Sequence, residues 1–132
     1  MGAIGSVGYW FAALSAVFIL NHLAADFLLH TTWMFEGKER VSGWVPGLAA
    51  HSAVHAALTG AIVLAVAPAL WWLAIVDFVV HAAIDRGKVV LGRRLALPPF
   101  VGRWWWVFGT DQALHQMTHL AYVIMLVIWR FT

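Results

Sequence analysis

The chain has 132 residues, of which 63% are hydrophobic and 11% charged, with no cysteine and a formal net charge of +2. Soluble domains are about a quarter charged, so this composition excludes an ordinary soluble fold and points to a lipid bilayer as the chain's main partner. The small net charge gives no reason to expect nucleic acid, and without cysteine any bound metal is limited to nitrogen and oxygen ligands.

A membrane crossing takes roughly 20 apolar residues, which leaves length for four spans and little else in a single domain over 1–132. The first apolar run, about 4–30, opens without Lys or Arg and contains His22 and Asp26; it reads as a retained span rather than a cleaved leader. A polar link, Thr31 to Pro46, carries Glu36, Lys38, Glu39 and Arg40. The second run, 47–67, stops at Pro68 and the third, 69–92, restarts at once, which makes a helical hairpin. Arg86, Lys88, Arg93, Arg94 and Arg103 crowd the next link, where residues 87–97 read as a short surface helix facing lipid headgroups. The last run covers 104–131. The expected fold is all-α: a polytopic membrane protein whose four transmembrane helices pack as an antiparallel bundle with a His/Asp-lined centre.

Charge sets the expected orientation. Seven of the eight basic residues fall in or beside the two polar links, and only Arg130 lies elsewhere. The positive-inside tendency puts that side in the cytoplasm, with both termini outside. Trp33, Trp44 and Trp104 to Trp106 mark one boundary, and Trp10, Trp71, Trp72 and Trp129 the other, as interfacial aromatic belts would.

The chemistry lies in four strings: His22-x3-Asp26-x3-His30, His51-x3-His55, Asp77-x3-His81-x3-Asp85 and Asp111-x3-His115-x3-His119. They contain all seven His and every Asp of the chain. Four-residue spacing stacks such side chains along one helical face. Helices running up and down bring all four strings to one layer, roughly 10 Å beneath the cytoplasmic boundary at 1.5 Å per residue. Ionisable groups in hydrocarbon cost several kcal/mol unless they are paired or solvated, so these must face one another. Imidazoles and carboxylates gathered in this way are the donor set of zinc, iron or manganese, and bundles build two-metal sites from such stripes. His51, His55, His81, Asp85, Asp111 and His115 are the primary candidate ligands, followed by His22, Asp26, Asp77 and His119. The number exceeds what one ion needs, which implies two ions or carboxylates that hold the ligating imidazoles. Polar interhelical contacts without metal are one competing reading. Haem held by paired His is another, although four Asp in the layer argue against an apolar haem slot.

With these strings in hand, the sequence resembles a bacterial membrane family known as domain of unknown function 3307. The resemblance rests on His22-Leu-Ala-Ala-Asp26-Phe27, Trp33, Lys38, His51-x3-His55, His81-x3-Asp85-x2-Lys88 and Asp111-Gln112-x2-His115. It covers nearly the whole chain and implies a multi-pass protein of the bacterial inner membrane. The family commonly has Gln where His30 stands, so the resemblance leaves His30 outside the ligand set. It implies no particular activity.

The functional expectation is a metal-dependent hydrolase acting on a lipid-like or amphiphilic substrate near the cytoplasmic face. Its cofactor would be one or two divalent ions, zinc first, with iron or manganese as alternatives. Asp77, Asp85 and Asp111 are the candidate catalytic carboxylates. A divalent-metal transporter or sensor and a diiron membrane oxidoreductase are the other readings, and a homo-oligomer is compatible with each. The half of the chain away from the charged links lacks Asp, Glu, His and Lys, which tells against a monomeric metal pore.

Overall fold

A computed structural model describes residues 2–132. It contains five α-helices, α1 (Ala3–Leu23), α2 (Thr32–Lys38), α3 (Val45–Val66), α4 (Leu73–Arg94) and α5 (Trp104–Phe131), with no strand among the described residues. The all-α expectation holds, but five helices replace the four expected. The added one, α2, lies in the first polar link. Thr31 starts it by accepting a hydrogen bond from the Met34 amide at 3.3 Å, the usual role of a threonine ahead of a helix.

Two boundaries differ from the sequence reading for local reasons. The first run is not α-helical through residue 30: after Leu23 it widens into a π-turn, Ala24–Leu28, closed by the Leu29 amide on the Ala24 carbonyl at 2.9 Å. The third helix begins at Leu73 rather than Ala69, because Pro68–Leu70 forms a 3-10 turn first. The short surface helix expected at 87–97 is not separate. Residues 87–94 continue α4, and the chain leaves it through Ala96, whose φ of 48° breaks the helical path.

Three segments are long and apolar enough to cross a membrane, Ile4–Leu28, Val45–Val66 and Pro68–Arg94, rather than four. At 28 residues α5 has ample length, but Asp111, Gln112, His115, Gln116, His119 and Arg130 dilute its apolar character. Ile19, Leu64, Ile75, Val79, Met117 and Ile128 are exposed, while nearly every His and Asp is buried. Polar inside and apolar outside is the arrangement a bilayer favours.

The interior divides into two parts. Leu14, Phe18, Val63, Leu73, Val123 and Leu126 belong to an apolar core, in the half of the molecule where Arg130 stacks over Trp10 at 4.1 Å. The polar strings fill the other half, towards the charged links, where Arg86 stacks over Trp44 at 4.3 Å and donates to the Arg40 carbonyl at 3.2 Å. Phe18 sits at the junction, its ring 5.2 Å from His119. Phe18→Ala should lower stability by about 2–3 kcal/mol. That is the packing share of the ~3–5 kcal/mol lost in a soluble core, since lipid is itself apolar. Thermal unfolding in detergent reads the loss, and bound metal should be unchanged.

Candidate metal centre

Each long helix contributes through its own string. The π-turn makes Asp26 the hub of the α1 side. Its Oδ1 lies 2.9 Å from His55 Nε2 and 3.3 Å from His51 Nε2, and its Oδ2 lies 3.2 Å from His22 Nε2. Asp85 is the corresponding hub on α4. Its Oδ1 meets His115 Nε2 at 3.3 Å, and its Oδ2 meets His51 Nε2 at 3.5 Å and His81 Nε2 at 3.8 Å. His81 stacks between its neighbours, with ring centroids 3.7 Å from His55 and 4.1 Å from His115.

Two groups of donor atoms are compact enough to hold an ion. In one, Asp26, His51, His55 and His81 offer atoms all within 4.8 Å of one another; in the other, His81, Asp85 and His115 do the same. His81 belongs to both, so the groups are overlapping parts of one centre. Three imidazoles and one carboxylate form a donor set that zinc takes in four-coordinate geometry. His81 is 2% exposed, and neither of its ring nitrogens has a hydrogen-bond partner. A buried imidazole left unpaired costs about 1–3 kcal/mol, a cost that metal ligation would remove. The Asp26–His55 and Asp85–His115 distances also suit carboxylate–imidazole hydrogen bonds, so His81 distinguishes the two readings better than the Asp contacts do.

The ten residues singled out from sequence do not all converge. Asp26, His51, His55, His81, Asp85 and His115 form the two groups. His22 stands beside them, held by Asp26 and by the Gln112 side chain at 3.1 Å. Asp111 lies 3.6 Å from His115 Nε2, accepts a hydrogen bond from Gln112 Nε2 at 3.2 Å, and stays outside both groups. Asp77 and His119 are apart, 3.8 Å from each other and nearer the apolar core, where Asp77 neighbours Thr59 and Tyr122. His30 is in neither group; it stacks on His51 at 4.2 Å, and its Nδ1 lies 3.2 Å from the Asp26 carbonyl.

Lys38 is the site residue that composition and spacing missed. Read from sequence, it was one of several charges in a surface link. In the structure it is 5% exposed, and its ammonium donates to Asp85 Oδ2 at 2.8 Å. Two glycines make this approach feasible. A Cβ on Gly47 would lie 2.8 Å from the Gly37 Cα and 2.9 Å from the Lys38 amide nitrogen. With no side chain at either position, α2 packs backbone to backbone on the first turn of α3 and delivers the lysine inward. Apart from the place of Lys38 among the residues that carry the family resemblance, the sequence trace of this is Gly37 with Gly47 ten residues later.

No curated protein and no solved structure matches the chain. A family does, across residues 14–132, a span that includes every residue of the centre and Lys38. The chain therefore belongs to the family described as protein of unknown function (DUF3307), in agreement with the resemblance read from its His and Asp strings.

Proposed function

We propose that this chain is an integral-membrane metalloprotein of the bacterial inner membrane, and that its metal centre hydrolyses a lipid-like or amphiphilic substrate near the cytoplasmic face. One observation carries the reading: the donor atoms of Asp26, His51, His55 and His81 lie within 4.8 Å of one another, with His81 buried and unpaired. Asp26, His51, His55 and His81 would hold a divalent ion, zinc by preference, which would supply Lewis acidity and activate water near neutral pH. Asp85 and Asp111 flank His115, which supports a role for both in orienting it, and Asp111, outside the ligand groups, is our candidate general base. Asp77 lies away from the ligand groups and fits a supporting role better than a catalytic one.

The same reading takes α5 as a fourth span, kept less apolar by the stripe it turns inward. Contacts support an antiparallel bundle, because partners on α4 come earlier as α3 advances: His51 meets Asp85, His55 meets His81, and Gly60 meets Ala74. Likewise Trp10 of α1 meets Arg130 of α5, while His22 meets His115. With an even number of spans, the basic links face the cytoplasm and both termini lie outside. The apolar core of Leu14, Val63, Leu73 and Leu126 closes the outer half, which favours an enzyme over a metal transporter.

Metal analysis of protein purified in mild detergent tests this. Zinc at one or two ions per chain is the expected result. Iron would move the reading to a diiron oxidoreductase, and a folded chain free of every transition metal would end it.

A further inference from the structure

Two cavities open on the α4–α5 flank of the centre, and the proposed hydrolase reading does not by itself assign them. One, of about 450 Å³, lies between the helices and is lined by Ile84, Gly87, Lys88, Leu91, Val107 and Asp111, among others. The other, of about 840 Å³, continues towards the charged link, past Gly92, Arg93, Leu97, Phe100, Trp104 and Phe108. Lys88 and Val107 line both, so the two share a wall. Each volume falls in the range of roughly 300–1,000 Å³ typical of small-molecule pockets.

We propose that this flank binds an anionic amphiphile with a single acyl chain. Its headgroup is held by Lys88 and Arg93, and its chain runs along Leu97, Phe100, Trp104 and Phe108. The inference rests on the hydrolase reading only for what happens to the bound molecule, and it names the substrate class of that site.

Charge complementarity fixes the sign of the headgroup. The larger cavity is lined by two cations, Lys88 and Arg93, against one carboxylate, Glu39, in an otherwise apolar and aromatic wall. Arg93 donates to the backbone carbonyl of Glu39, a neutral acceptor, so its positive charge is not neutralised there. The Lys88 ammonium is ion-paired with Asp111 Oδ2 at 3.6 Å, too long for a hydrogen bond. Its N–H donors therefore remain open to a headgroup oxygen, while Arg93 carries the charge that no carboxylate offsets. Asp111 in turn lies 3.6 Å from His115 Nε2, so an oxyanion on Lys88 sits one side chain away from the metal groups. The wall chemistry fixes the tail. Trp104 and Phe108 stack with ring centroids 5.2 Å apart, and the Phe100 ring tilts against Trp104 at 4.8 Å. The Trp105 indole nitrogen donates to the Phe100 carbonyl at 2.9 Å and pins the link against α5. Trp105, Trp106 and Leu91 are exposed nearby, as expected where a groove meets lipid at headgroup depth.

The test uses the full chain in a neutral detergent and a fatty acid brominated along its tail, which quenches nearby tryptophan. The proposal expects saturable quenching through Trp104 and Trp105, at least about tenfold tighter than for the brominated alcohol of equal length, the scale of a charge-assisted hydrogen bond. Lys88→Met combined with Arg93→Gln should erase that preference. Gly92→Leu should abolish saturable quenching; a Cβ at Gly92 meets nothing within 4 Å, so the added side chain enters the cavity without disturbing the helix. Equal quenching by acid and alcohol, or unchanged binding in Gly92→Leu, overturns the proposal. Metal content measured on the same samples separates the two claims. Quenching without metal supports the groove and removes the hydrolase, whereas metal without saturable quenching removes the groove alone.

Discussion

His81→Ala should strip the protein of its metal, lowering affinity by more than about 100-fold. Loss of a group that merely orients a ligand already costs about 10–100-fold, and His81 contributes to both donor groups, so its loss should exceed that range. Stability should fall with the metal. An ion present at a thousand times its dissociation constant stabilises the folded chain by about 4 kcal/mol, and that increment disappears when the site cannot hold it. Chelator should therefore lower the unfolding temperature of the native chain and leave His81→Ala almost unmoved. Polar contact alone predicts a different pattern. Because neither ring nitrogen of His81 has a hydrogen-bond partner, its removal would then cost packing only, and chelator would act on neither protein. Full metal occupancy in His81→Ala would refute the assignment. Phe18→Ala supplies the control, since it should lose stability and keep its metal.

The second large effect belongs to Gly47, where two principles oppose each other. In a helix, alanine is favoured over glycine by about 1 kcal/mol, so propensity alone predicts that Gly47→Ala stabilises α3. The contact predicts the opposite. The new methyl would lie 2.8 Å from the Gly37 Cα and 3.0 Å from its carbonyl carbon, and backbone cannot rotate away as a side chain can. Overpacking costs about 1–3 kcal/mol and more where nothing yields, so destabilisation wins. Gly47→Val should be worse, having a bulkier side chain and less helix propensity to offset it. In both variants α2 should lift from α3 and draw Lys38 away from Asp85. Trypsin reads this directly: buried Lys38 should resist cleavage in the native chain and be cut in Gly47→Val. A Gly47→Ala protein more stable than the native one would show that the helices do not meet there as described.

Much of the fold was legible because lipid makes sequence patterns stark. Three apolar runs became three membrane-length helices, and α5 kept the limits its pattern gave it. The convergence of His51, His55, His81, Asp85 and His115 followed from four-residue spacing and the expense of burying charge. Other features left no comparable trace. The sequence pattern favours Asp111 over Asp26 as a ligand, yet Asp26 joins a donor group and Asp111 does not. The π-turn that carries Asp26 depends on backbone hydrogen bonds shifted by one residue, which no residue type announces. Lys38 was hidden because a charged residue between spans ordinarily signals topology; only the Gly37–Gly47 contact in three dimensions turns it inward.

The widened turn at Ala24–Leu28 also acts as a phase adjuster for the helix before it. An α-helix advances about 100° per residue, so rewinding Ala24–Leu28 as regular α-helix with its sequence intact would swing everything upstream by roughly that angle relative to Asp26. His22 would leave the side of Gln112, and Phe18 would turn away from its seat beside His119. Removing Ala24 or Ala25 together with the wide turn would instead keep that face in register, because the turn absorbs the one residue that regular winding cannot.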